Sequence, residues 1–142
     1  SHDLRPTLLD DMGLAPALEY LAREFGEDAG TPVRFRAAGA VDALPDMVGT
    51  VLFRIAQEAL TNVERHAQAS TIELSLERVA NRVSLSIADD GVGFDTDDVA
   101  VHPKRGIGLR NMMERMEAIG GRLSVDSTSS GTSVVASIDL KE

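Results

Sequence analysis

With 142 residues and a formal net charge of −9, the chain is long enough for one domain with a real hydrophobic core and too acidic to take nucleic acid or an anionic membrane surface as its main partner. It has no cysteine, which excludes disulfides, a thiol nucleophile and thiolate metal sites. No apolar run reaches membrane-spanning length and no signal peptide opens the sequence, so the expectation is a soluble, cytoplasmic domain without direct membrane contact.

Residues 1–13 have no amphipathic period of their own, and Pro6 and Gly13 mark a helix end or connector belonging to a longer chain. Leu14, Ala17, Leu18, Leu21 and Phe25 then form a helical stripe that stops at Gly30. Val33, Phe35 and Ala37 alternate with Arg34 and Arg36 as a strand. A loop over 39–45 follows, with Pro45 placed for the first turn of the next helix. That helix, expected over 46–67, packs through Val48, Val51, Leu52, Ile55, Ala59 and Val63. Glu58 and Asn62 fall at the edge of this apolar face, with Arg65 and His66 one turn on. Asparagine is a poor helix-interior residue and is usually placed for a hydrogen bond.

Ile72, Leu74 and Leu76 share one face of a strand over 71–78, and residues 79–81 turn it into a hairpin. In the second hairpin strand Val83, Leu85 and Ile87 point inward, and the same parity carries Asp89 inward. A carboxylate on the core side of a strand is costly unless it receives hydrogen bonds. Gly91 and Gly93, directly after it, admit a close backbone approach. Residues 95–105 have no period and read as a loop. A helix opens at Gly106, Ile107 and Gly108, with Leu109, Met112, Met113, Met116 and Ile119 as its stripe and Gly120 and Gly121 as its stop. The chain closes with a hairpin of strands 122–126 and 132–140 joined by 127–131. Val134, Ala136, Ile138 and Leu140 share a face there, and parity adds Thr132 to it.

Two strand ends therefore present a polar residue on the core side, and one helix turns polar along its packing side. A glycine-flanked helix N-terminus is a ready anion site, and oxygen-bearing side chains suit a hydrated magnesium ion. The parts suit a purine nucleotide, with the base against Asp89 and Thr132, phosphates at 106–108 and a metal at Asn62. Other motifs are missing. There is no P-loop, no third glycine for a dinucleotide fingerprint, no calcium-loop spacing, no zinc pattern among the three histidines and no serine elbow.

The motif-bearing segments resemble those of sensor histidine kinases. FRIAQEALTNVERHA at 53–67 resembles their N box, DDGVGF at 89–94 their first glycine box, GIGLRNMMER at 106–115 their second, and Gly131-Thr132 their last glycine motif. Together with Leu4, Arg5, Pro6, Gly13 and Leu14, the order is most like the nitrate/nitrite-sensor type. The resemblance implies a two-layer α/β sandwich, a mixed, mostly antiparallel sheet packed against three helices, shared with gyrase, mismatch-repair and heat-shock chaperone ATPases. It implies residues 1–13 as the end of a dimerisation helix and 14–142 as a catalytic ATP-binding domain.

By that similarity Asp89 binds the adenine amino group and Thr132 assists through water, while Gly91 and Gly93 shape the pocket. Asn62 coordinates magnesium, and Glu58 either orients the metal's water shell or acts as a base. Arg65 sits where the family often has a phosphate-contacting cation. Gly106 and Gly108, followed by Leu109 in the same motif, hinge a lid over 95–105. The implied activity is transfer of the ATP γ-phosphoryl group to a histidine on an absent dimerisation domain, for relay to a response regulator with a helix-turn-helix output. The fragment is expected to be monomeric and the full-length kinase homodimeric. His2 is no acceptor, because Leu4-Arg5-Pro6 marks the far end of the dimerisation hairpin. The alternatives are a non-catalytic nucleotide-sensing module and an anti-sigma-type serine kinase of the same fold.

Overall fold

The computed structural model describes residues 5–66, 68–92 and 107–140. Helix α1 (Arg5–Met12) packs against α2 (Leu14–Ala29) and α3 (Asp46–His66), with Leu9 against the core. Helix α2 buries Leu14, Ala17, Leu18 and Ala22. It stops at Gly30, which adopts φ 73° and donates its N–H to the carbonyl of Gly26, a left-handed cap that a side chain would strain.

Strands β1 (Val33–Ala38), β2 (Ile72–Val79), β3 (Arg82–Asp89), β4 (Arg122–Thr128) and β5 (Gly131–Asp139) form one sheet in the order β1-β2-β3-β5-β4. Among the described residues only the β1–β2 pair is parallel, and α3 is the crossover that a parallel neighbour needs. The last helix, α4 (Ile107–Ala118), packs on α3, β4 and β5. The expected mixed, mostly antiparallel sheet backed by helices is therefore what forms.

Alternation decides which sheet face carries the core. Ile72, Leu74 and Leu76, Val83, Leu85 and Ile87, and Val134, Ala136 and Ile138 are all buried on the helix side. The opposite face carries Glu73, Ser75 and Glu77 beside Ser84, Ser86, Ser133 and Ser137. Helix α3 is buried beyond the expected stripe, because Phe53, Ala56 and Leu60 are also sealed. It lies between α2, α4 and the sheet, and a helix flanked on three sides needs an apolar surface wider than one stripe.

Several boundaries differ from expectation. Met112 and Met116 are sealed but Met113 is 41% exposed, since only positions four apart face α3 and the sheet. The closing hairpin is tighter than expected. β4 runs to Thr128 and β5 begins at Gly131, leaving Ser129 and Ser130 as the turn. Ser127 is thus a strand residue opposite Thr132. Leu140 lies past β5, half-buried, donating its N–H to the carbonyl of Asn81 at 2.7 Å.

Candidate functional site

The end of β3 follows from the alternation that builds it. Asp89 shares the core-facing parity of Val83, Leu85 and Ile87 and is half-buried. Its Oδ1 accepts the N–H of Gly91 at 2.8 Å. A carboxylate has about four lone-pair sites, so the bond from Gly91 does not saturate it. Asp89 pairs with Ile72 on one side and Thr132 on the other, and Thr132 pairs with Ser127 on β4. The hydroxyls of Ser127 and Thr132 lie 2.8 Å apart. Asp89, Thr132 and Ser127 therefore form a polar row across three strands on the core face.

Gly131 adopts φ 141°, and a Cβ there would fall on the carbonyl oxygen of Asp89. A side chain at this position is excluded by backbone on both counts. β5 can thus enter the sheet directly against the Asp89 carbonyl.

Asp90 has a separate task. Its Oδ1 accepts the backbone N–H groups of Ser70 at 2.7 Å and Thr71 at 3.0 Å, and its Oδ2 accepts the Thr71 hydroxyl at 3.3 Å. The bonds from Thr71 and then Ser70 hold this carboxyl below its ordinary range. Asp90 so fastens the connector after α3 to the end of β3. The connector contains Gln68 at φ 51°, a left-handed conformation uncommon for a side-chain-bearing residue.

That connector brings the second half of α3 to the same end of the domain. Glu58 and Asn62 are half-buried there, and Arg65 is exposed one turn on. Gly108 in the first turn of α4 lies against them. A Cβ on Gly108 would sit 2.9 Å from Glu58 Oε2, 3.1 Å from Asn62 Oδ1 and 3.2 Å from Asn62 Nδ2. The structure thus brings Glu58, Asn62 and Gly108 together, and separately Asp89, Gly91 and Thr132. Leu109 is half-buried and packs against the core. Gly93, Gly106, the 95–105 lid and His2 lie outside the described residues. Ser127 is an addition that sequence reasoning missed, although Leu123 and Val125 alternate toward it.

A cleft of about 460 Å³ between Pro45, Val48, Ile119 and Ile138 lies at the opposite end, where α3 begins and α4 and β5 finish. The polar residues above have no part in it.

An open sheet with helices on one face and polar residues gathered at one end of that face makes an α/β sandwich with a candidate ligand site at that end. Residues 47–142 match the family described as histidine kinase-, DNA gyrase B- and HSP90-like ATPase, and the chain belongs to that ATP-binding family. It is 43% identical over 136 residues to the sensor histidine kinase MctS of Rhizobium johnstonii, covering 96% of this chain and 30% of MctS. It is 36% identical to the kinase/phosphatase DegS of Brevibacillus brevis, covering 98% of this chain and 36% of DegS. With the oxygen sensor histidine kinase NreB of Staphylococcus carnosus the identity is 33%, covering 100% of this chain and 41% of NreB. The chain thus spans less than half the length of these curated relatives. Among solved structures, the blue-light activated histidine kinase of Erythrobacter litoralis EL346 superposes with a TM-score of 0.72 at 24% identity, over 89% of this chain and 42% of that one. The likeness supports the fold.

Proposed function

We propose that this chain is the ATP-binding catalytic domain of a two-component sensor histidine kinase, with residues 1–13 as the end of the dimerisation helix. It transfers the γ-phosphoryl group of ATP to a histidine on the dimerisation domain, for relay to a response regulator with a helix-turn-helix output. The observation that carries this reading is the convergence of two polar walls on one end of the fold: Asp89 and Thr132 on the sheet, and Glu58 and Asn62 against Gly108 on the helices. Relatives named as sensor histidine kinases along nearly the whole chain favour it over a nucleotide-sensing module or a serine kinase. No helix among the described residues is long and apolar enough to cross a membrane, which agrees with a cytoplasmic site of action.

On this reading Asp89 accepts a hydrogen bond from the adenine amino group, and the Thr132 hydroxyl meets the neighbouring ring edge, directly or through water. Gly91 and Gly93 let the backbone approach the base. The first turn of α4, with Gly108 and Leu109, offers unsatisfied N–H groups to the phosphates, Gly106 precedes it in the same sequence motif, and Arg65 adds a cation beside them. The Glu58 carboxylate faces that same turn, so phosphates placed there would repel it without a cation between. Glu58 and Asn62 converge as hard oxygen donors and fit magnesium, which takes few protein ligands and keeps waters and phosphate oxygens. The ion, when bound, would neutralise phosphate charge. The protein's own contribution is to hold base and phosphates in line for attack by the acceptor imidazole.

The test is to mix the chain with the dimerisation domain of its kinase, labelled ATP and magnesium. Acid-labile label on the acceptor histidine is expected, with none on this chain alone. Strong nucleotide binding with no histidine labelling would defeat the kinase assignment.

A further inference from the structure

The closing hairpin places a residue beside the candidate base site that no expectation assigned. Ser127 lies on β4 with the inward parity of Leu123 and Val125. It is in register with Thr132, which is in register with Asp89. Its Oγ is 2.8 Å from Thr132 Oγ1, and the contact is partly buried. A threonine hydroxyl has one hydrogen and rotates to suit its partners. With Ser127 as the donor, Thr132 Oγ1 keeps its own hydrogen for a further partner; with Thr132 as the donor, only lone pairs are left to it.

We infer that Ser127 is a positioning residue for base selection, donating to Thr132 Oγ1 so that the Thr132 hydrogen is left for adenine N1 and the Asp89–Thr132 pair favours adenine over guanine. The inference rests on the proposed nucleotide site. Adenine presents an amino donor at C6 and a bare acceptor at N1, whereas guanine presents a carbonyl at C6 and an N–H at N1. The Asp89 carboxylate matches the first base and opposes the second. Without Ser127 the Thr132 hydroxyl can turn to satisfy either N1; with a lone pair engaged by the Ser127 hydroxyl, its hydrogen is the group it offers, which matches adenine N1 and opposes the guanine N–H. Sites that hold polar groups in place reject mismatched ligands most strongly, because a mismatch leaves a desolvated group unpaired.

The experiment measures ADP and GDP affinity by calorimetry for the wild-type chain, Ser127→Ala, Ser127→Thr, Thr132→Ala, the Ser127→Ala/Thr132→Ala double variant and Asp89→Asn. Urea unfolding checks that each is folded. Ser127→Ala should weaken ADP binding about threefold to tenfold, the scale of one neutral hydrogen bond, and narrow the ADP-over-GDP preference by a similar factor. Ser127→Thr should restore both, and the double variant should be no weaker than Thr132→Ala, because the two hydroxyls act as one unit. A folded Ser127→Ala chain with wild-type affinity and preference, or losses that simply add in the double variant, overturns the inference and leaves the site standing. Failure of the site itself reads differently, as wild-type chain without adenine preference or Asp89→Asn without effect, and it would overturn both.

Discussion

Gly108→Ala separates two reasons for a glycine in the first turn of α4, rotation and space. Gly108 is helical, and its missing side chain would have met Glu58 Oε2 at 2.9 Å and the Asn62 amide at 3.1 and 3.2 Å. An added methyl must push Glu58 Oε2 back by about half an ångström to reach ordinary contact. The atom that yields is the end of a flexible side chain, so the cost is of the order of one strained rotamer, about 0.5–1.5 kcal/mol. Alanine returns up to about 1 kcal/mol of helix propensity. Stability should therefore stay within about 1 kcal/mol of wild type. Function should not, because both displaced side chains belong to the proposed metal side. A misplacement of about 1 Å can cost roughly a hundredfold in rate, and half of that predicts about a tenfold loss. The assays are urea unfolding, ADP calorimetry with and without magnesium, and label transfer to the dimerisation domain. A folded variant with unchanged magnesium-dependent affinity and transfer would remove Glu58 and Asn62 from the metal side. A stability loss well beyond 1 kcal/mol would refute the claim that Glu58 yields cheaply.

Asp89→Asn should weaken ADP binding about tenfold to a hundredfold, the range of a lost charge-assisted hydrogen bond; calorimetry on the folded variant decides it. Asp90 gives a pH dependence. Its carboxyl is held low by the Thr71 and Ser70 N–H groups, so its contribution is present above the ordinary carboxylate value and is lost as pH falls through the depressed one. The stability gap between wild type and Asp90→Asn should accordingly shrink in urea titrations taken from neutral pH to below about 4. A gap that widens on acidification would contradict the Asp90 strap.

Much of the fold was readable because the periods are clean. The β3 alternation that buries Val83, Leu85 and Ile87 also delivers Asp89 to the site. Reading failed where a residue's role depends on a neighbour distant in sequence. Ser127 sits among serines and threonines that look like a loop, and only its register with Thr132 makes it a strand residue. Met113 belongs to the apolar run, yet the helix has too few faces against α3 and the sheet to bury it. The breadth of α3 burial at Phe53, Ala56 and Leu60 depends on α2 and α4 arriving on either side. At the site, the sequence supplied the residue types on both walls. That Gly108 abuts Glu58 and Asn62 is a tertiary contact between helices some 50 residues apart and has no local signature.

Gly131→Ala should behave in the opposite way from Gly108→Ala, and the contrast tests the two walls separately. Gly131 has φ 141°, and its added Cβ would meet the carbonyl of Asp89 and then the Cα of Asp90. Those are backbone atoms of the last residue of a strand paired on both sides and of the residue after it, so nothing nearby can swing away. The unfavourable backbone region costs roughly 1–3 kcal/mol, and relieving the overlap costs a similar amount of strand displacement. Destabilisation of roughly 2–6 kcal/mol is therefore expected, together with weakened ADP binding, since the strand that moves carries Asp89. Magnesium should change this deficit little, because Glu58 and Asn62 stand on the other wall. Thermal unfolding should show a midpoint lowered by at least about 6 °C. A Gly131→Ala chain as stable as wild type, or one whose binding deficit disappears when magnesium is added, would mean that the end of β5 is not what holds Asp89 in place.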